Sequence, residues 1–398
     1  MSAYLVVFLA AALTTEVATP LVRVLSIRTG AIDRPEDRKV HPRPTPTMGG
    51  LAMYLGVLVA LGVSWVLPFF DEVHAASPEP LAVLVACTLM VGLGVVDDAK
   101  GTTALTKLTA QIFIAGVVVL LGVQLAYLWV PFVAADQDAL VQIVILSADL
   151  AVPLTIVWVV AIANAVNLVD GLDGLAAGMV GIASAAFFGY MVGTENVFGD
   201  ASEAALLAAI TGGICIGFLP WNFHPAKMFM GDSGSMLLGV LVAIATISGI
   251  GRNPYPPSPG DFAAIAGPLV VLLLVLFIPF LDVVAAIIRR TRRGQGVGHP
   301  DKEHLHHRLM DIGHSHRRAV LLMYLWSALV SGSTLAVGLV DGRLTVGLIL
   351  LGALLLFLAT VLPPLAARRR NGNGDGNGDG DVGRGAAQAA RPDGSLAP

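Results

Sequence analysis

MSAYLVVFLAAALTTEVATPLVRVLSIR, residues 1–28, decides how the rest of the chain is read. A secretory leader carries positive charge ahead of its apolar run, but here the first basic residues, Arg23 and Arg28, follow it. The stretch is therefore expected to be a first membrane helix with its N-terminus outside, because Lys and Arg are retained on the cytoplasmic side.

Composition extends that reading to the whole chain. Apolar residues fill 56% of the 398 positions and charged residues 13%, with a mean hydropathy of +0.78. A water-exposed surface needs far more charge, so a soluble protein of two or three domains is excluded and most side chains must face lipid. The net charge of −4 says little, since placement matters more than the sum, and no nucleic-acid partner is expected. Cys87 and Cys215 lie inside apolar runs and read as small buried hydrophobes.

A spanning helix needs roughly 20 apolar residues. Eleven segments qualify: 4–25, 50–70, 80–96, 107–132, 142–163, 175–193, 203–220, 235–250, 262–288, 319–340 and 344–366. With the N-terminus outside, the loops after odd-numbered spans and the C-terminal tail carry 22 of the 24 Lys and Arg residues; only Arg252 and Arg343 fall on the other side. The expected fold is an all-α polytopic membrane protein of about eleven transmembrane helices, with its catalytic loops cytoplasmic. Residues 1–366 form the membrane domain, and the Gly-rich, polar segment 367–398 is expected to be a disordered cytoplasmic tail.

Five polar clusters interrupt the apolar background, all on the side assigned to the cytoplasm: 33–50, 95–107, 164–178, 221–235 and 299–316. Ionisable groups at membrane depth are costly and mark function by default. In VVDDAKG, Asp97 and Asp98 end a helix, either as solvated charges or as a pair suited to Mg²⁺ or base chemistry; DDxxD is not met, because Gly101 holds the fifth place. Lys107 could neutralise a phosphate or simply snorkel at a helix end. Asn164, Asn167, Asp170 and Asp173 recur every third residue and would form a polar stripe on a helix, with Gly171 and Gly174 permitting a turn. In FMGDSGS, small residues around Asp232 permit a tight turn exposing a carboxylate and backbone N–H groups, while Phe229 could stack on a base or pack in the core. This donor set is rich in oxygen and poor in thiolate, which suits Mg²⁺, with Mn²⁺ as the substitute, entering together with substrate phosphates.

HPDKEHLHHRLMDIGHSH, residues 299–316, gathers six of the nine histidines. Zinc is not expected, since no cysteine or HExxH arrangement supports it.

Taken together, RKVHPRPTPTMGG, VVDDAKG, NAVNLVDGLDGLAAG, FMGDSGS and HLHHRL resemble, in order and over roughly 1–366, the polyprenyl-phosphate N-acetylhexosamine-1-phosphate transferases of glycosyltransferase family 4. The first and last of these look like the N-acetylglucosamine branch and unlike the muramoyl-pentapeptide branch. The resemblance implies transfer of GlcNAc-1-phosphate from UDP-GlcNAc to polyprenyl phosphate with Mg²⁺, at a bacterial plasma membrane. It implies that Asp232 and Asn167 bind the metal and that Lys107 holds phosphate. Asp97 and Asp98 would position or activate the lipid phosphate, and Asp170, Asp173 and Phe229 would meet the donor around its uridine. His304, His306, His307 and Arg308 would grip the sugar-phosphate end. Undecaprenyl and decaprenyl carriers, and a homodimer, stay open. A cation-coupled transporter is the reading from another class, but it would want acids deep within helices and a visible repeat.

Overall fold

A computed structural model describes residues 1–35, 43–131, 141–193, 202–251, 315–339 and 347–360. It is predominantly helical, and the site described below lies within a compact unit, Met1–Leu356. The helices are α1 (Ser2–Thr29), α2 (Gly50–Ser64), α3 (Asp71–Ala76), α4 (Glu79–Lys100), α5 (Ala104–Leu120), α6 (Ala148–Val169) and α7 (Leu175–Gly193). They continue with α8 (Glu203–Asn222), α9 (Gly231–Thr246), α10 (His316–Leu339) and α11 (Gly347–Thr360). Among the described residues, six helices are long and apolar enough to cross a membrane, or seven if α2 and its bent continuation count as one span. That bend, 89° between Gly50–Ser64 and Pro68–Ala75, falls where Pro68 forces Leu67 into an extended conformation.

α1 shows why a membrane is the solvent. Leu5, Leu9, Leu13, Val17 and Leu21 line one exposed stripe, whereas Thr15, Thr19 and Ser26 are fully buried. Each buried Thr19 and Ser26 hydroxyl donates to the carbonyl one turn earlier, so neither is left unsatisfied inside. Polar inside and apolar outside is the arrangement lipid selects.

Two departures from expectation share a cause. The segment 107–132 is not helical throughout, because α5 stops at Leu120 and Gly122 turns the chain at φ +88. Beyond it, Tyr127–Pro131 (β3) pairs antiparallel with Val141–Ile145 (β4), and α6 starts only at Ala148. Short apolar β-branched runs read alike as strand and as helix. A second two-stranded piece joins Ile32–Asp33 (β1) to Thr45–Pro46 (β2), so the helical fold carries two small ribbons. Asp149 falls in the first turn of α6, where the helix dipole favours a carboxylate. The expected span 262–288, the histidine-rich loop up to His314 and the tail lie outside the described residues.

α9 packs against α2, α4 and α6. The approach is close because glycines face it: a Cβ on Gly94 would collide with the backbone of Asp232 and Ser233, and one on Gly50 with that of Ser233 and Gly234. Small residues permit such backbone contact between membrane helices. Gly94 sits one turn before Asp97 and Asp98, so this seam also sets the register between those carboxylates and Asp232. Gly94→Ala is expected to cost about 1–3 kcal/mol through overpacking against unyielding backbone. A lowered thermal midpoint in detergent would show it; an unchanged midpoint would remove the seam.

Candidate active site

The C-terminal ends of α4 and α6 meet the N-terminal ends of α5 and α9, and the polar motifs sit on those ends. Asp97 and Asp98 are consecutive on α4, so their side chains leave it about 100° apart and serve different neighbours. Asp97 accepts from the Thr102 amide at 2.7 Å and from the Thr102 hydroxyl, across the turn that Gly101 makes at φ +70. Its other oxygen lies 2.6 Å from the Lys107 ammonium. Lys107, in the first turn of α5, also bonds Asp232 and so bridges two carboxylates from separate helices. Thr103 caps α5 by accepting from the Thr106 amide at 3.2 Å, which fixes where that lysine begins its reach.

Asp232 stands in the first turn of α9, and its second oxygen accepts from Asn167 Nδ2 at 2.8 Å. The same nitrogen donates to Ser235 Oγ at 2.8 Å, and the Ser235 hydroxyl donates to the Gly231 carbonyl at 3.0 Å. Because Ser235 spends its proton on the backbone, it can only accept from the amide, so the Asn167 carbonyl oxygen takes part in neither bond. Asn164 is engaged elsewhere, donating to Gln111 Oε1 at 2.6 Å and to the Val160 carbonyl at 2.7 Å. Side chains of Lys107, Asp97 and Asp232 are 19%, 12% and 26% exposed, enough to meet a ligand yet well shielded.

The expected stripe breaks after Asn167, because α6 ends at Val169 and Asp170 and Asp173 ride the following loop. Burial, followed by the charges of Asp232, Asp98 and Asp173, holds the Asp170 carboxyl well above the usual carboxylate range. Asp173 accepts from the Ala226 amide at 3.1 Å and pairs with His224 Nδ1 at 2.7 Å. The Gly174 amide donates to Asn222, whose own amide donates to the Met228 carbonyl, and the Tyr324 hydroxyl bonds the Gly174 carbonyl. Asp173 and Asn222 thus stitch the loop after α6 to the loop before α9.

Asp173, His224 and His316 bring three possible ligand atoms within 4.8 Å of one another. The two imidazoles are stacked, however, with centroids 4.1 Å apart and planes 22° from parallel. Their in-plane lone pairs run side by side and do not converge on one ion, as tetrahedral zinc requires. Burial holds the His316 imidazole below its ordinary value, which suits a neutral ring stacked on its partner.

Phe229 is half-buried, and its backbone ties two motifs together: its amide donates to the Pro46 carbonyl at 2.9 Å and its carbonyl accepts from Gly49 at 3.0 Å. His304, His306, His307 and Arg308 lie outside the described residues. Thr102, His224, Ser235 and Tyr324 also bond to site residues or to the loop that carries them, beyond the residues the motifs single out. The first three stand in or beside the motifs, but nothing local marks Tyr324.

Asp97, Lys107, Asn167 and Asp232 therefore form one hydrogen-bonded group, with Asp170 beside it. A donor set made of hard oxygens, with the Asp232 carboxylate at its centre, fits a divalent cation of the Mg²⁺ class. A lysine can meet a phosphate directly, and carboxylates can do so only by way of a cation they would hold.

Residues 80–250 match the family model described as glycosyl transferase family 4. The chain is 43% identical over 370 residues to the decaprenyl-phosphate N-acetylglucosaminephosphotransferase of Mycobacterium leprae, covering 91% of this chain and 90% of that one. A Mycobacterium tuberculosis protein of the same name is 41% identical over 366 residues, covering 90% and 88%. The Escherichia coli undecaprenyl-phosphate alpha-N-acetylglucosaminyl 1-phosphate transferase is 29% identical over 315 residues, covering 78% and 77%.

Proposed function

The chain belongs to glycosyl transferase family 4, and from that premise we propose that it transfers GlcNAc-1-phosphate from UDP-GlcNAc to polyprenyl phosphate. A lipid-phosphate oxygen attacks the phosphorus that bears the sugar, the bond to the uridine phosphate breaks, and UMP leaves with that bridging oxygen. The product is GlcNAc-diphosphate-polyprenol. The observation that carries this reading is the single group made by Asp97, Lys107, Asn167 and Asp232, drawn from separate helices onto one mouth.

A phosphate monoester with a second pKa of about 6 is largely ionised near neutrality, so attack needs no obligatory base. Charge builds on phosphoryl oxygens during transfer, and fixed cationic groups stabilise it. Lys107 supplies such a charge to the diphosphate, while Asp97 holds that ammonium in place. Asp232 and the carbonyl oxygen of Asn167 would hold Mg²⁺, which when bound supplies Lewis-acid neutralisation of the phosphates. On the family resemblance, Asp170, Asp173 and Phe229 would contact the donor around its uridine, and His304, His306, His307 and Arg308, which lie outside the described residues, would grip its sugar-phosphate end.

We place the site at the cytoplasmic face of a bacterial plasma membrane, in a bundle of eleven spans with the N-terminus outside. The support is the basic-residue asymmetry, 22 of 24 on one side. Decaprenyl phosphate is the first acceptor to offer, since it stands in the names of the mycobacterial relatives. Purified protein is expected to exchange labelled UMP into UDP-GlcNAc only when polyprenyl phosphate and Mg²⁺ are both present. UDP-MurNAc-pentapeptide supplied in parallel should not react. Absence of exchange by folded protein with every component supplied would sink the proposal.

A further inference from the structure

We propose that Asp98 is a positioning residue and that, of the adjacent aspartates, Asp97 alone is presented to substrate. The inference rests on the functional reading above for its chemistry, but on hydrogen bonding alone for its geometry. A carboxylate offers about four lone-pair sites, and the protein engages both oxygens of Asp98 with four contacts, three at 2.8–3.2 Å and a longer one at 3.4 Å. Oδ1 accepts from the Asp232 amide at 2.9 Å and from the Thr47 hydroxyl at 3.4 Å. Oδ2 accepts from the Ser233 amide at 3.2 Å and from the Ser233 hydroxyl at 2.8 Å.

These partners define a task. Asp232 and Ser233 are the second and third residues of α9, whose first-turn N–H groups have no partner within the helix. The residue before that helix, Met230, makes no side-chain cap bond. An N-cap side chain normally satisfies the second or third amide of its own helix; Asp98 satisfies both from α4, and its charge complements the helix dipole. Gly231, at φ +69, seals the approach, since a Cβ there would collide with both Asp98 oxygens and with Thr47. Asp97 differs, because its second oxygen meets no backbone amide but the ammonium of Lys107, the group proposed to hold the diphosphate.

Asp98 therefore acts on the reaction through Asp232. By gripping the Asp232 amide it fixes the turn from which that side chain reaches Lys107 and Asn167. A direct role as base or phosphate contact would need an oxygen that the capping has already used.

The test compares Asp98→Ala, Asp98→Asn and Asp97→Asn in the full-length protein, supplied with UDP-GlcNAc, polyprenyl phosphate and Mg²⁺. Asparagine keeps an acceptor for the Asp232 amide, the bond through which Asp98 acts on the reaction, although its NH2 end cannot accept from Ser233 as the second carboxylate oxygen does. Asp98→Asn is expected to retain activity within about tenfold of wild type, with the acid limb of its pH–rate profile unmoved. Asp98→Ala should fall much further and lose hydrogen-exchange protection at the Asp232 and Ser233 amides, while Asp97→Asn loses activity with that protection intact. Folded Asp98→Asn that is as inactive as Asp97→Asn, or whose acid limb has shifted, would overturn the assignment. So would unchanged protection in Asp98→Ala. Should wild-type protein transfer no sugar phosphate, the functional reading fails, while exchange at those two amides still decides the capping.

Discussion

Asp232→Ala is expected to remove transfer activity by at least about 10²–10³-fold in kcat, the scale of losing a principal electrostatic stabiliser of the reacting phosphates, here the divalent cation that Asp232 would hold. The side chain is the junction of the site. One oxygen meets Lys107 from α5 and the other meets Asn167 from α6 at 2.8 Å. Truncation leaves the ammonium with Asp97 alone and the amide with Ser235 alone, so two further groups lose their fixed positions. Asp232→Asn separates charge from shape: it keeps the volume and one acceptor but cannot offer the charge a divalent cation needs. It should be nearly as inactive, should bind Mn²⁺ more weakly by electron paramagnetic resonance, and should unfold near the wild-type temperature. Activity within tenfold of wild type in either variant would take Asp232 out of the centre.

The meeting of these residues was legible because charge at membrane depth is expensive. Asp97, Lys107, Asn167 and Asp232 each interrupt an apolar run near its end, and the bundle brings those ends together. What each side chain does there was not legible. Asp97 and Asp98 are identical neighbours in sequence, and only the register of α4 against α9, set by glycines such as Gly94, turns one toward Lys107 and the other onto a helix terminus. The spacing of Asn164, Asn167, Asp170 and Asp173 suggested one helical face, yet Asn164 is committed to Gln111 and the last two lie beyond the helix end. Periodicity cannot announce where a helix stops when glycines follow. Asp173 finds its partner His224 in a separate motif, 51 positions away, and the Tyr324 hydroxyl finds the Gly174 carbonyl from 150 away. The β3–β4 ribbon was hidden for another reason, since YLWVP and VQIVI are as apolar as the helices around them.

Lys107→Met decides between the two readings its sequence position allows. A lysine snorkelling at a helix end contributes little, and its loss would leave transfer within a few-fold of wild type. The structure instead sets the ammonium between Asp97 and Asp232, 2.6 Å from the first, with only 19% of the side chain exposed. Methionine preserves the length and the apolar stem while removing the charge, leaving two carboxylates to face each other. Two effects should follow, and they oppose one another. Transfer should fall by about 10²–10³-fold, because the diphosphate loses a fixed positive charge that grows in value as the reaction proceeds. Mn²⁺ binding in the absence of substrate should tighten or hold, because the carboxylates lose the cation that competes for them. Lys107→Arg should not restore activity, since a planar fork cannot take the place of a compact ammonium between two convergent oxygens. Weakened Mn²⁺ binding together with near-normal transfer would contradict both halves, since Lys107 would then support the cation and leave the phosphates to other groups.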